Sequence, residues 1–366
     1  MSAPEAGGGV IAVYVVTYKR PEVLERAVAS LWRGAHEPER VRLTIINNHT
    51  EFELPTSSHD VRVLHNVVRP DRAWGNLARD WNAGLLDAFG TSAGSDVTWC
   101  VLAQNDVEWL PDWQRRLDAL PDGLDFFSQP RGDQSMGFRI SAVRDVGFFD
   151  ERFSTIAFQE QDYFTRAAAL LGDRASINDD HMGSAGCWNP RQPIINEPSF
   201  HGYSAEDPLL HTTAFERELS NLLTHKWQVS DFHDIFDRQK MVDRLRAGTI
   251  VLPDELDWYP YFWNGLGNPH RDGVYDQPYQ GPARTYVVVQ DGKDRLIEAL
   301  VAVSQHADGQ SCEVLVDCGD DAVVQLVSRE VRGNVVFTPS APGTTDEDRR
   351  GRLIRMARGR EVLTVS

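Results

Sequence analysis

The sequence lacks the features of several protein classes. Its four cysteines are widely spaced in 366 residues and form no CxxC pair, so neither a zinc cluster nor a disulfide framework is indicated. No run approaches the roughly 18 apolar residues that a membrane span requires. Positive charge is also scarce, because 37 Lys and Arg stand against 54 Asp and Glu, and a net charge of −17 repels a phosphate backbone. We therefore expect no membrane span and no nucleic-acid partner.

The beginning of the chain carries no basic segment of the kind that opens a signal peptide. Residues 1–9 are rich in glycine, and the apolar run behind them has the pattern of a strand. We expect residues 1–9 to be disordered, the protein to be soluble and cytoplasmic, and its thiols to be reduced. The length predicts two or three domains, each large enough to bury a core.

Apolar, β-branched runs alternate with helical patterns along the first part of the chain. The predicted strands are Val10–Tyr18, Val41–Ile46, Val61–Leu64 and Val97–Leu102. The predicted helices follow the first, third and fourth strands and contain Val23–Leu31, Leu77–Leu85 and Trp109–Leu117. This alternation predicts a mostly parallel α/β sheet covered by helices, whose ligands bind at the carboxyl ends of the strands.

Acidic residues cluster in a later segment. Phe148–Phe153 contains Asp150 and Glu151 after a turn signal, and Gln159–Asp162 then opens a helix-forming run. Carboxylates near one another at such a position are suited to general-base chemistry beside a bound substrate.

Five segments with recognisable motifs follow one another along the chain, namely Val15–Pro21, Ile46–Thr50, Gly75–Gly84, Gln104–Asp106 and Val146–Glu151 with Glu160 and Asp162. Through these segments, residues 10–230 resemble a family 2 glycosyltransferase with the GT-A nucleotide-sugar-binding fold. Each is weak alone, and their shared order is what makes the resemblance specific. It implies a GT-A Rossmann-like, mostly parallel sheet with flanking helices.

The resemblance places Gln104–Asp106 where the family keeps its metal-binding DxD motif. It implies that Asp106 binds Mn²⁺ or Mg²⁺, which prefer hard oxygen ligands and stabilise a departing diphosphate. Gln104 replaces the first acid of that motif, so the metal requirement is left open. In the alternative interpretation, Asn105 and Asp106 cap the following helix. The resemblance also implies a histidine that completes the metal site or contacts the diphosphate, either His181 or its competitor His201.

The same resemblance assigns the catalytic acids. Glu160 matches the catalytic base when Arg166 and Ala167 fix the register, and Asp162 matches the second acid of the motif. Displacement by a hydroxyl activated on one carboxylate inverts the anomeric centre, so the implied enzyme is inverting. Alternatively, both acids complement the dipole of a helix N-terminus.

Donor binding is implied for a set of residues near the ends of the predicted strands. They are Thr17, Tyr18, Arg20, Asn47, Asn48, Gly75, Arg79, Gln104 and Asn105. Asn47 stands where the family usually has an aspartate that accepts the imide proton of uracil or thymine, and an amide oxygen accepts that proton as well. Uridine and thymidine diphosphate sugars are therefore favoured over guanosine. A plain surface role for Arg20 or Arg79 is the alternative.

The rest of the chain divides into two parts. We expect residues 231–283 to be an irregular connector, in which the aromatic run Trp258–Trp263 packs an interdomain seam or stacks on sugar rings. Residues 284–366 repeat the strand–helix–strand rhythm of residues 11–68 and resemble the first half of a second, divergent GT-A domain. This part lacks counterparts of Asp106 and Glu160. An unrelated small α/β cap is the alternative.

The sequence thus predicts an inverting glycosyltransferase that uses a nucleotide-diphosphate sugar and a divalent metal. The expected acceptor is a hydroxyl of a glycan, a polysaccharide precursor or a small molecule, and homo-oligomerisation is left open. One rival is a catalytically inactive sugar-nucleotide or glycan-binding module on the same fold. A nucleotidyltransferase is the other rival, but that class opens with a Gly-rich basic loop, which Thr17–Pro21 is not.

Overall fold

The structure is a computed structural model of the whole chain. It describes residues 9–17, 20–48, 52–66, 77–89, 96–129, 132–150, 153, 158–177, 196–198, 223–224, 226–230, 233–250, 284–307, 312–330, 335–337, 340, 343–357 and 361–365. Statements below concern these residues.

The described strands and helices form an N-terminal unit, residues 9–250, and a C-terminal unit, residues 284–365. The strands of the N-terminal unit are β1 Val10–Thr17, β2 Val41–Asn47, β3 Val61–Asn66, β4 Val97–Gln104, β5 Val107–Trp109, β6 Phe126–Gln129, β7 Gly132–Phe138, β8 Ala175–Ser176 and β9 Asn196–Pro198. Its helices are α1 Pro21–Gly34, α2 Leu77–Phe89, α3 Trp113–Asp118, α4 Ile140–Val146, α5 Phe158–Leu171, α6 His233–Phe236 and α7 Arg238–Arg246. The C-terminal unit contains β10 Arg284–Val289, α8 Lys293–Ala307, β11 Cys312–Asp317, α9 Asp321–Glu330, β12 Val335–Phe337, α10 Asp346–Met356 and β13 Glu361–Val365.

Eleven of the described strands form one sheet in the order β13, β10, β11, β12, β3, β2, β1, β4, β7, β6, β8. Strands β3, β2, β1 and β4 are parallel, and β7 joins β4 antiparallel. The predicted fold class, a mostly parallel α/β sheet with flanking helices and a smaller C-terminal α/β unit, is confirmed.

Helices cover both faces of the N-terminal sheet, which explains why its central strands are apolar throughout. Along β1, Ile11, Val13 and Val15 belong to a core with α1 and α3. The alternate residues Tyr14 and Val16 belong to the opposite core, with α2, α4 and α5. Successive side chains of a strand point to opposite faces, so one run of β-branched residues supplies two cores.

The prediction of a helix that includes Trp109 is wrong. Trp109 ends the short strand β5, which pairs antiparallel with β9. The helix begins four residues later, at Trp113. Pro111 and Asp112 lie directly before it, and such residues are typical of a helix start.

The predicted irregular connector is partly wrong as well, because its first part is helical. Helix α7 begins after Asp237, whose side chain accepts the N–H of Lys240 at 3.0 Å. Buried residues of this segment, Ile235 and Met241, pack with Phe153 and Trp227. These helices therefore belong to the N-terminal unit. Residues 251–283, including the aromatic run, lie outside the described part.

The C-terminal unit repeats the topology of the first four strands. Its parallel strands lie in the order β13, β10, β11, β12, as β4, β1, β2 and β3 do. A helix precedes the fourth strand in each case, α10 before β13 and α2 before β4. One difference is α9, which connects β11 to β12. This topology supports the hypothesis of a divergent half copy, which stays a prediction.

The two units share a sheet and a small core. Strands β12 and β3 pair antiparallel through Val336 with Asn66 and Phe337 with His65. Behind the sheet, Ala83 of α2 packs with Val287, Val289, Leu315 and Leu353. Among the described residues, no helix is long and apolar enough to cross a membrane.

Candidate functional site

The residues that end β1, β2 and β4 lie side by side. Thr17 pairs with Asn47 across β1 and β2, and Val16 pairs with Gln104 across β1 and β4. We call this end of the N-terminal sheet the carboxyl edge. The chain order changes direction between β1 and β4, and open α/β sheets bind ligands in the crevice outside such a switch point.

Thr17 is the residue that joins the loops of the carboxyl edge. Asn105 donates from Nδ2 to Thr17 Oγ1 at 3.0 Å, across the switch point. On the other side, the backbone N–H of Asn48 donates to the Thr17 carbonyl oxygen at 3.0 Å. Thr17 is buried, so these contacts fix both polar loops relative to β1.

Asp106 lies in the turn after β4 and is only 5% exposed. Gln134 of β7 approaches it, with Nε2 3.5 Å from Asp106 Oδ2. Its sequence neighbours Gln104 and Asn105 offer amide groups. These three residues thus offer one carboxylate and two amide oxygens, all of which are hard donors. Such a group fits a cation that takes its remaining ligands from phosphate and water, as Mg²⁺ commonly does.

A different group meets the geometric criteria for a cation site with three ligands. Among the described residues, His36, Glu37 and Asp118 have ligand atoms within 4.8 Å of one another. Arg40 forms ion pairs with both acids, and its Nη2 lies 2.8 Å from Asp118 Oδ1. The group also lies next to the start of β2, at the opposite end of the strand from Asn47. We assign it to a surface ion-pair cluster.

Arg20 has an unusual backbone conformation at the start of α1. Its φ of 58° and ψ of 62° lie in the left-handed region, which costs energy for a residue with a Cβ atom. The Arg20 carbonyl accepts the N–H groups of Val23 and Leu24, and its side chain pairs with Glu22. This turn follows β1 directly and therefore lies beside the carboxyl edge.

The two predicted catalytic acids have different surroundings. Both lie in the first half of α5, but two positions along a helix are roughly 200° apart around its axis, so they face different sides. Glu160 is partly exposed. Asp162 is fully buried.

Both carboxylate oxygens of Asp162 contact basic or N–H groups. Its Oδ1 lies 2.7 Å from Lys226 Nζ and accepts from Trp227 Nε1 at 3.1 Å. Its Oδ2 accepts from Arg166 at 3.0 and 3.1 Å. Lys226 also lies 2.9 Å from Asp150 Oδ2. Asp162 thus lies in a buried ion-pair cluster, and the catalytic roles predicted for Glu160 as the base and Asp162 as the second acid stay predictions.

The buried cluster of Asp150, Asp162, Arg166 and Lys226 joins three segments of the N-terminal unit. Arg166 donates to the carbonyl oxygens of Val146 at 2.7 Å and Phe148 at 2.8 Å, which ties α5 to the end of α4. Lys226 brings the segment before α6 against both acids. Two carboxylates and two cations balance, which is how buried charges are tolerated.

Several predicted residues lie outside the described part of the structure. These are Tyr18, Gly75, His181 and its competitor His201, together with the side chain of Arg79. Their roles stay predictions. The structure brings together the other predicted donor and metal residues, Thr17, Asn47, Asn48, Gln104, Asn105 and Asp106, at the carboxyl edge.

Sequence reasoning missed two polar residues of this region. Asp80 of α2 accepts from Asn48 Nδ2 at 2.7 Å, and Gln134 approaches Asp106. Asp80 lies three residues after Leu77 and four before Gly84, so it is on the apolar face of α2. A charged residue on such a face needs a partner, and this was the signal in the sequence that could have identified it. Nothing in the sequence pattern singled out Gln134.

Comparisons with known proteins give the following results. No protein-family model and no curated protein matches the sequence. A mannosyltransferase from Pyrobaculum calidifontis, solved with GDP-Man and Mn²⁺, is similar in structure with 12% identity, coverage of 66% of this chain and 72% of that chain, and a TM-score of 0.39. Residues 1–349 of S. aureus TarS show 12% identity, coverage of 69% and 78%, and a TM-score of 0.36.

A third solved structure is the glucosyl-3-phosphoglycerate synthase from Mycobacterium tuberculosis, in complex with Mn²⁺, UDP and glucosyl-3-phosphoglycerate. It shows 13% identity, coverage of 61% of this chain and 82% of that chain, and a TM-score of 0.36. These three solved structures are what the chain is similar to. At such identities and TM-scores, the similarity establishes neither a family nor an activity.

Proposed function

We propose that this protein is an inverting glycosyltransferase. It moves a sugar from a nucleoside diphosphate, with uridine or thymidine favoured, to a hydroxyl of a glycan or polysaccharide precursor. The observation that supports this most is the meeting of Thr17, Asn105 and the buried Asp106 at the switch point between β1 and β4. An α/β sheet binds its ligands at this point, and a sugar nucleotide needs both amide and carboxylate groups there.

The donor lies along the carboxyl edge. Asn47, at the end of β2, accepts the imide proton of the base through its amide oxygen. The Arg20 turn and Thr17 line the base and ribose. Arg79 pairs with the diphosphate, because a guanidinium matches phosphate oxygens in a bidentate manner.

Asp106 holds a divalent cation, with the amides of Gln104 and Asn105 beside it and His181 as the further ligand. When bound, the cation offsets the negative charge that develops on the departing diphosphate. One carboxylate is enough for Mg²⁺ or Mn²⁺ when phosphate oxygens and water complete the coordination.

Glu160 is the general base. It takes the proton of the acceptor hydroxyl as that oxygen forms a bond to the anomeric carbon and the bond from this carbon to the diphosphate oxygen breaks. Because the attack comes from the side opposite the leaving group, the anomeric configuration inverts. The partial exposure of Glu160 on α5 supports this role, since an acceptor must reach the base from solvent.

A catalytically inactive nucleotide-sugar or glycan-binding module is the second candidate. The observation that favours it is the chemistry of the carboxyl edge, where Asn47 and Gln104 are neutral and Asp106 is the one acid of its triplet. Such a protein would bind the donor without turning it over.

Donor binding is tested by calorimetric titration with uridine, thymidine, guanosine and cytidine diphosphates, each with and without Mn²⁺. We expect one nucleotide to bind in a Mn²⁺-dependent manner. Asp106→Asn should abolish that dependence, whereas the matched control Asp118→Asn, in the ion-pair cluster beside β2, should keep it. Failure of all four nucleotides to bind would contradict the transferase and favour the glycan-binding module.

Catalysis is tested by following nucleoside diphosphate release from the donor that binds, with a panel of hydroxyl acceptors. Loss of a general base lowers turnover by about 10²-fold or more, so we expect this loss in Glu160→Gln with donor affinity unchanged. The control Glu298→Gln changes an exposed acid on α8 and should have wild-type turnover. Equal turnover in wild type and Glu160→Gln would exclude the proposed base and favour the binding module.

A further inference from the structure

Helix α2 contacts both the carboxyl edge and the C-terminal unit. It packs closely on the N-terminal sheet, because a Cβ atom added at Gly84 would lie 3.0 Å from Leu102 and 3.1 Å from Tyr14. Trp81 and Leu85 are buried in the core on that side. Any displacement of α2 therefore moves its polar side chains relative to the ends of β1 and β2.

Asp80 of α2 fixes the amide of Asn48. Asn48 Nδ2 donates to Asp80 Oδ2 at 2.7 Å, and both side chains are buried. A carboxylate only accepts hydrogen bonds, so it orients the amide with its N–H groups toward α2. In this orientation Oδ1 is the atom of the Asn48 amide that can accept a hydrogen bond from a ligand.

Asn82 of α2 holds the segment that leads to the candidate base. Its Oδ1 accepts the N–H of Phe149 at 2.9 Å, and its Nδ2 donates to the Phe149 carbonyl oxygen at 2.9 Å. Phe149 precedes Asp150, which pairs with Lys226 in the buried cluster of α5. Helix α2 thus fixes the positions of the Asn48 amide on the proposed donor side and of the Phe149 backbone on the proposed acceptor side.

The C-terminal unit packs against α2 and against the segment that contains Phe148 and Phe149. Leu353 of α10 is fully buried in the core shared with Ala83 of α2, and Phe148 packs against this core. Strands β10 and β11 supply the rest of the contact surface through Val287 and Leu315.

An ion-pair network holds α10 in place on the C-terminal sheet. Arg349 donates from Nε to Asp317 Oδ1 at 3.1 Å and from Nη2 to the Asp317 carbonyl oxygen at 3.0 Å. It also bonds Asp291 at 2.9 and 3.0 Å. Leu353 follows Arg349 by one helical turn, so the two lie on one face of α10. The network therefore fixes the side chain that meets α2.

We propose that the C-terminal unit positions the candidate site through α2, with Asp80 and Asn82 as positioning residues and Leu353 as the contact that supports the helix. This gives the C-terminal unit a role in ligand binding through its support of α2. The inference rests on the proposed function in one respect, namely that the carboxyl edge binds a nucleotide.

The test compares two Leu→Ala variants of the full chain. Leu353→Ala opens a cavity behind α2, and Leu296→Ala opens one in the core on the other face of the same sheet, among α8 and α9. Both leucines are fully buried, so each substitution removes the same atoms from a buried position. Leu353→Val is a milder substitution for use if the alanine variant does not fold.

Hydrogen exchange measured by mass spectrometry reports the positioning directly. We expect exchange within residues 77–89 and 147–150 to rise about tenfold in Leu353→Ala, and uridine diphosphate affinity with Mn²⁺ to fall by about as much. Leu296→Ala should lower the melting temperature by a similar amount but leave both the exchange in these segments and the nucleotide affinity unchanged. Equal effects of the two variants, or unchanged exchange in Leu353→Ala, would overturn the proposal.

A second pair of variants tests Asp80 itself. Asp80→Asn retains an oxygen that accepts from Asn48, whereas Asp80→Ala does not. Nucleotide affinity should fall in Asp80→Ala and recover in Asp80→Asn, and equal affinities would refute the positioning role. If the wild type binds none of the nucleotides, the proposed function fails, and the exchange experiment still decides whether the C-terminal unit holds α2.

Discussion

The buried charges around α5 lead to a quantitative prediction for Lys226→Met. Lys226 Nζ lies 2.9 Å from Asp150 Oδ2 and 2.7 Å from Asp162 Oδ1, and the three side chains are at most 1% exposed. Methionine keeps most of the aliphatic volume and removes the charge. The variant leaves two buried carboxylates, Asp150 and Asp162, and one cation, Arg166, so the cluster gains a net negative charge in the core.

The expected cost follows from what buried ion pairs lose when one partner is removed. Such changes destabilise proteins by about 3–5 kcal/mol, and contact with two carboxylates puts Lys226 toward the upper end of that range. We therefore expect the free energy of unfolding to fall by about 4 kcal/mol, measured by urea denaturation with tryptophan fluorescence.

Lys240→Met is the matched control. Lys240 also forms an ion pair, 2.5 Å from Asp234, but its side chain is 46% exposed. Exposed pairs contribute at most about 1 kcal/mol, so the control should lose no more than that. Similar losses in the two lysine variants would refute the reasoning. Asp150→Asn combined with Lys226→Met restores the charge balance and should recover part of the loss, and a further loss would show that charge imbalance is not the cause.

Two further predictions concern titratable groups. Hydrogen bonds from Arg349 and from the Gly319 N–H lower the pKa of Asp291, so its carboxylate stabilises the fold above the ordinary aspartate pKa of about 3.9 and ceases to do so as the pH falls through the lowered pKa. The difference in melting temperature between wild type and Asp291→Asn should therefore shrink in acid, and a difference independent of pH would contradict this. Burial raises the pKa of Cys100, so iodoacetamide should modify it only after unfolding, as site-resolved mass spectrometry would show; modification of the folded protein at the rate of a free peptide thiol would contradict this.

The central strands could be predicted because their physical signal is local. Val10–Thr17 and Cys312–Asp317 are short apolar runs with polar residues directly after them, and each is buried on both faces. Such runs require cover on two sides, which only a layered α/β fold provides. The same polar residues then mark the carboxyl edge, so the order of strands and polar residues along the chain is enough to place Thr17, Asn47 and Asp106 together.

The buried ion pairs of Asp162 could not be predicted from its neighbourhood in sequence. An acid in the first half of a helix has the same local pattern whether it faces a cleft or the core. The presence of a cation beside the carboxylate distinguishes the two cases. For Asp162 that cation is Lys226, which follows α5 by more than fifty residues in the chain. Helix α7 was missed for a different reason. Its sequence is mostly charged, and only two of its buried residues, Met241 and Val242, are apolar, although Asp237 gave a capping signal.

The two units share one strand topology, but the helix before the fourth strand makes different contacts with the strand ends in each unit. In the N-terminal unit, Asp80 of α2 accepts a hydrogen bond from the Asn48 side chain after β2. In the C-terminal unit, Arg349 of α10 bonds Asp317 at the end of β11 through both its side chain and its carbonyl oxygen. The guanidinium also reaches Asp291 after β10, so Arg349 spans the ends of both strands and pairs with an acid at each. It satisfies these acids from within the chain. We infer that this edge has a structural role and that the Arg349 network fixes α10 where Leu353 meets α2, which the comparison of Leu353→Ala with Leu296→Ala tests.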